Sequence, residues 1–170
     1  MINLRPATLE DLTLLKYWDE QPHIIACDPD DDWHWESELS RDPAWREQLI
    51  AELNSRPIGM IQIIDPALED SHYWGKVASN LRAIDIWIGE ATDLNKGYGT
   101  IMMRLALTRC FADSLVKAVL VDPLACNTRA HRFYQRLGFK FVERRHFGDS
   151  DCFVYQLNRE DWNLEINNDR

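Results

Sequence analysis

The sequence predicts a mixed α/β (α+β) fold in a single domain over residues 1–170. Three observations carry this. Leu81–Ile88 (LRAIDIWI) alternates apolar and polar residues as a strand does. The glycine turn Lys96-Gly97-Tyr98-Gly99 follows it and opens at once into an amphipathic helical run, Thr100–Ala112. The short apolar run Lys117–Val121 then completes a strand–loop–helix–strand unit. A chain of 170 residues is long enough to bury a proper core.

The remaining elements follow in order. Ile2–Arg5 reads as a short strand. Thr8 caps a helix, with Asp11 three residues later, and Leu12, Leu15 and Trp18 line its apolar face. Pro22–Pro43 is irregular, and within it DPDDDWHWESEL is acidic and aromatic. Glu47–Leu53 and Ile58–Ile64 read as a hairpin joined by the four-residue connection Asn54-Ser55-Arg56-Pro57. Pro66–Ser79 reads as a long loop. Asn127–Leu137 is helical and Gly138 stops it. Phe139–Arg145 and Cys152–Leu157 close the chain as strands around Gly148-Asp149-Ser150.

Composition narrows the function classes. The formal net charge of −9 argues against nucleic acid, which is bound by neutralising phosphates with Lys and Arg. It suits a cationic ligand, although solubility explains it as cheaply. No apolar run approaches the ~20 residues that span a bilayer, and MINLRPATLEDL lacks the regions of a signal peptide. The expectation is a cytoplasmic protein without a membrane partner, monomeric or homodimeric. Cys27, Cys110, Cys126 and Cys152 form no CxxC pair and read as buried thiols. His34, His72 and His131 have no metal spacing, so no metal is expected.

Gly97 and Gly99 let a ligand approach the backbone closely. The amides at the start of the following helix lack intrahelical partners, and the helix dipole adds positive potential there. Asn95, Lys96, Gly97, Tyr98, Gly99 and Thr100 therefore form a candidate pyrophosphate site. It is neither a Walker loop, since GK[ST] is absent, nor a full GxGxxG, since Met102 takes the third place. On its own a GxG is more often a plain turn before a helix.

Context adds to it. With the strand Leu81–Ile88 and the segment NTRAHRFYQRLGF at Asn127–Phe139, the chain resembles the GCN5-related N-acetyltransferases over about Leu4 to Leu157. Asn127, Ala130, Phe133, Tyr134, Gly138 and Phe139 match that family's second coenzyme segment, while Leu94 stands where many relatives carry Gln or Arg. More narrowly, IDIWIGEATDLNKGYGT, VDPLACNTRAHRFYQRLGF and RPIGMIQI resemble the aminoglycoside 6'-N-acetyltransferases. Siderophore-type N-acyltransferases share parts of the pattern. The fold implied is a mixed central β-sheet of about six to seven strands flanked by helices.

The resemblance implies acetyl-coenzyme A as co-substrate and a small cationic amine as acceptor. It assigns the coenzyme to the glycine loop, to the backbone of Trp87, Ile88 and Gly89, and to Asn127, Ala130 and Phe133. It makes Tyr134 the group beside the departing sulfur. It makes Asp85 either the base for the amine or the anion that binds the ammonium while water takes the proton. Each has a plainer reading: Asp85 as a solvent-facing strand residue or a partner of Arg82, Tyr134 as a core aromatic, Asn127 as a helix cap. Carboxylates and flat rings suit an amino sugar, so Trp33, Tyr73, Trp74, Asp122, Asp149 and Asp151 are substrate candidates, and the resemblance adds Gln62, which matches the strand glutamine of those enzymes. Asp28–Asp32 and Glu36, with Trp33 and Trp35, are a candidate acidic flap. Within enzymes the alternative is acylation of a siderophore precursor, a polyamine or a protein N-terminus. Outside them it is a non-catalytic acyl-coenzyme A binding module.

Overall fold

A computed structural model describes residues 1–169. Seven strands form one sheet: β1 (Ile2–Pro6), β2 (Arg46–Leu53), β3 (Arg56–Ile64), β4 (Leu81–Ile88), β5 (Ala118–Val121), β6 (Lys140–Phe147) and β7 (Ser150–Asn158), in the order β1-β2-β3-β4-β5-β7-β6. The helices are α1 (Leu12–Asp19), α2 (Pro22–Cys27), α3 (Trp35–Glu38), α4 (Tyr98–Ala112), α5 (Thr128–Arg136) and α6 (Arg159–Asn168). β4 and β5 pair in parallel from Leu81↔Ala118 to Ala83↔Leu120, as the intervening helical crossover requires. β5–β7 and β6–β7 are antiparallel.

By its internal contacts the chain divides into two compact units, Met1–Ile63 with Asp85–Ala106 and Ile64–Ile84 with Leu107–Arg170. The first is built around Leu15, Trp18, Trp35, Ile50 and Met60, with Leu12, Trp33 and Trp87 packed against them. Thr8 caps a 3-10 turn, Leu9–Asp11, and not α1 itself: the Asp11 carboxylate accepts the Thr8 N–H at 2.8 Å and closes that turn, and α1 follows it. The hairpin turn is two residues, Asn54 and Ser55, not four. Both have positive φ (50° and 70°), the conformation that matches the strand twist, so Arg56 and Pro57 join β3.

Gly89 shows how tightly this core is closed. A Cβ there would lie 2.0 Å from Trp18 Cε2 and 2.2 Å from its Nε1, and Trp18 is fully buried. The indole has no room to retreat. Gly89→Ala is expected to cost about 2 kcal/mol, within the usual range for overpacking. Tm should fall by about 4–8 °C for a chain of this size. Thermal denaturation checks it, and an unchanged Tm contradicts the packing described.

The second unit packs helices against β5 and β7. Phe111 stacks on Trp162 with centroids 5.9 Å apart. The Arg159 guanidinium donates to the carbonyls of Val116, Phe111 and Asp113, at 2.8, 3.2 and 2.6 Å, and so ties α6 to the end of α4. The region Pro22–Pro43, read as irregular, contains the short helices α2 and α3, and the chain ends in α6 beyond the last strand. Of the four thiols, only Cys110 and Cys152 are buried; Cys27 and Cys126 are exposed.

Candidate active site

The glycine loop is anchored before it turns. Asp93, 3% exposed, accepts two bonds from the Arg56 guanidinium, at 2.8 and 3.1 Å. Lys96 Nζ adds a contact at 3.8 Å. Arg56 holds the Asp93 carboxyl below the usual carboxylate range. Asn95 (φ 61°) and Gly97 (φ 80°) then turn the backbone through the left-handed region. α4 begins at Tyr98, two residues earlier than expected, so Gly99 is its second residue. At this end Ile101 N–H bonds the Gly97 carbonyl at 3.4 Å. The amides of Tyr98, Gly99 and Thr100 precede that bond, and helix geometry gives them no intrahelical acceptor. A Cβ at Gly97 would meet no atom within 4 Å. Backbone donors beside open space suit a pyrophosphate.

The conformational demand therefore falls on Gly97, not Gly99. Gly97→Ala costs about 1–2 kcal/mol for the left-handed backbone alone, because its methyl clashes with nothing in the protein. If the loop relaxes away from φ 80°, its amides turn away from the ligand. Acetyl-coenzyme A affinity should fall about tenfold, about 1.4 kcal/mol. Calorimetric titration checks it, and unchanged affinity counts against the loop.

Two of the backbone groups expected at the end of β4 are already engaged. The Gly89 N–H donates to the Ile58 carbonyl at 2.9 Å. The Ile88 carbonyl accepts from His23 Nε2 at 2.8 Å and keeps one lone pair for a further donor. The Trp87 ring packs 5.0 Å from Trp33 and 6.3 Å from Trp35.

Asp85, half-buried on β4, accepts from Gln62 Nε2 at 3.3 Å. Gln62 in turn accepts from Gln48 Nε2 at 3.0 Å. Gln62 thus meets Asp85 directly. Arg82 pairs instead with Asp65 (3.3 Å) and Asp113 (3.5 Å). Sequence reasoning did not select Gln48; a polar residue ahead of the apolar run Leu49-Ile50-Ala51 was its only signal.

In the second unit the Tyr73 hydroxyl donates to Asp122 at 2.5 Å, and its ring stacks on Phe147 with centroids 4.6 Å apart. Tyr73 is 47% exposed, so this ring and carboxylate offer an aromatic–acidic surface. Trp74, expected beside it, is 3% exposed and packs edge-on to Phe147. Its carbonyl accepts from Arg145 at 2.8 Å. Asp151 lies in β7, not in the turn, and Arg144 neutralises it across the ladder, at 2.9 and 2.5 Å. Asp149 is exposed in the turn.

Asn127 caps α5, its side chain accepting the Ala130 N–H at 3.1 Å. Ala130 and Phe133 are half-buried. Tyr134, 7% exposed, sits among Phe133, Phe139 and Tyr155, with ring centroids at 5.2, 5.5 and 6.3 Å. Burial raises the Tyr155 phenol above its ordinary pKa.

The expected acidic flap is only partly formed. Trp35 is 3% exposed, donates its indole N–H to Asp19 at 2.6 Å and belongs to the core. Trp33 stacks on it at 5.4 Å and is half-buried. Asp28, Asp30, Asp31 and Asp32 are exposed. His131 is buried and bonds the Ala125 carbonyl at 3.0 Å. Among the described residues no cluster of His, Cys, Asp or Glu is arranged to hold a metal ion, and no helix is long and apolar enough to cross a membrane.

The mixed seven-stranded sheet carries a glycine loop at the start of α4, and Asn127 caps α5. Residues 7–147 match the acetyltransferase (GNAT) domain, and the chain belongs to that family. It is an N-acetyltransferase that uses acetyl-coenzyme A. The chain is 30% identical over 155 residues to an aminoglycoside N(6')-acetyltransferase type 1 of Klebsiella pneumoniae, covering 82% of this chain and 74% of that one. It is 26% identical over 168 residues to the lysine N-acyltransferase MbtK of Mycobacterium tuberculosis, covering 91% and 76%. Among solved structures it is similar to the aminoglycoside acetyltransferase AAC(6')-Ib in complex with coenzyme A. The TM-score is 0.85 at 25% identity, over 98% of this chain and 99% of that one. The same values hold for that enzyme with coenzyme A and kanamycin.

Proposed function

We propose that the protein acetylates the 6'-amine of an aminoglycoside. The observation that carries this is the Asp85 carboxylate, held by the Gln62 amide on the strand that leads into the glycine loop. A carboxylate accepts only, so it suits an ammonium or an amine N–H. Acetyl-coenzyme A supplies the acyl group as an activated thioester. The loop amides at Tyr98–Thr100 bind its pyrophosphate, and Asn127 and the α5 start orient its arm. Asp85 receives the ammonium and orients the nitrogen once a proton has passed to water. The C–N bond then forms as the C–S bond breaks; the Tyr134 phenol gives its proton to the departing sulfur, and the second proton, lost from the acylated nitrogen to water, replaces it on the phenol. Tyr73 and Asp122, a ring and an anion paired with each other, are further candidates for contact with a cationic sugar.

A second reading, acylation of a lysine-type amine, is favoured by the similarity to the lysine N-acyltransferase over 91% of the chain. Product mapping by NMR separates the two. The proposal expects the acetyl group on the 6'-nitrogen of kanamycin. Acylated lysine with unreacted kanamycin overturns it.

A further inference from the structure

We propose that Gln48 is a positioning residue for the amine site: it holds the Gln62 amide so that its NH2 group, and not its oxygen, faces Asp85. This rests on the reading of Asp85 as the partner of the amine. Gln48 on β2, Gln62 on β3 and Asp85 on β4 form a row across three neighbouring strands, and all three are half-buried. Gln48 Nε2 donates to Gln62 Oε1 at 3.0 Å, and Gln62 Nε2 donates to Asp85 Oδ2 at 3.3 Å.

The two ends of a glutamine amide are nearly equal in size and opposite in hydrogen-bonding role. Shape alone does not choose between its orientations. The partners do. Turned over, Gln62 would set its oxygen against the Asp85 carboxylate, acceptor against acceptor, and would keep the Gln48 bond only if the Gln48 amide turned over with it. The Gln48 bond is the shorter of the two. It also persists when an incoming ammonium competes for the Asp85 oxygens and weakens their hold on Gln62. Gln48 touches no reacting atom; it acts through Gln62.

Two variants test this, with kanamycin and acetyl-coenzyme A at about pH 8. Gln48→Met keeps the length and removes the donor. The amine KM should rise about three- to tenfold, the effect of one lost hydrogen bond. The acetyl-coenzyme A KM and the Tm should stay close to wild type. Gln48→Glu presents only acceptors, draws the Gln62 NH2 toward itself and turns its oxygen onto Asp85. Its amine KM should rise more than that of Gln48→Met. Simple attraction predicts the opposite sign, because an added anion near the site would lower the KM of a cation. A wild-type amine KM in both variants, or a lowered one in Gln48→Glu, overturns the inference. If wild type does not turn over kanamycin, the functional reading fails separately, and the same comparison is read with the amine it does accept.

Discussion

Replacing Asp85 by Asn is expected to lower kcat/KM for an aminoglycoside by about 100-fold or more, about 2.7 kcal/mol of transition-state stabilisation. The change keeps the side-chain shape. The amide that replaces the carboxylate can still offer an oxygen to Gln62 Nε2, so the existing 3.3 Å bond has a counterpart in the variant. What disappears is the negative charge. Beside an ammonium from which water is excluded, that charge acts at a low effective dielectric and is worth several times its value in water. Acetyl-coenzyme A affinity should survive, because the amides proposed to hold it lie in the loop and the start of α4. Steady-state kinetics with each substrate varied in turn checks both halves. Wild-type kcat/KM in a folded variant removes Asp85 from the chemistry.

Replacing Tyr134 by Phe is expected to lower kcat about 10- to 1000-fold, the span usual for a lost general acid, with little change in coenzyme affinity. The ring survives the substitution, so its contacts with Phe133, Phe139 and Tyr155 remain. A purely structural tyrosine would therefore leave kcat nearly untouched. Where product release limits turnover the chemical step is masked, so a single-turnover measurement accompanies the steady-state one. An unchanged chemical rate leaves Tyr134 as a packing residue.

Much of the frame is legible in the sequence because it is local. β4 is found at Leu81–Ile88 because its apolar, β-branched residues lie together in the chain, although its burial does not alternate: Ala83 and Ile84 are both buried. Asn127 caps and Gly138, at φ 92°, stops, because both act within one turn. What is not legible depends on distant partners or on segments too short to show a period. α2 and α3 span only six and four residues. α6 carries a polar sequence whose one buried residue, Trp162, is explained by its stacking on Phe111. Trp35 sits among acidic residues in the chain, yet Asp19 and the core take its side chain.

The candidate site divides the same way. The glycine loop and α5 are visible as motifs. The partners of the carboxylates are not. Asp151 looks like a turn anion until the β6–β7 register brings Arg144 to it. Gln48 looks like an ordinary strand residue until the neighbouring strand sets Gln62 against it. Gly97, not Gly99, carries the left-handed backbone, because the helix starts earlier than its apolar pattern suggests.

The most direct measurement of the central claim is release of free coenzyme A thiol from acetyl-coenzyme A with a panel of amines: kanamycin, lysine, a polyamine and a hydroxylamine. The account predicts saturable thiol release with kanamycin, a kcat/KM at least about tenfold above that for any other amine, a margin of about 1.4 kcal/mol, and loss of that preference in Asp85→Asn. Faster release with lysine or the hydroxylamine than with kanamycin, or binding of acetyl-coenzyme A without release for any amine, would contradict it.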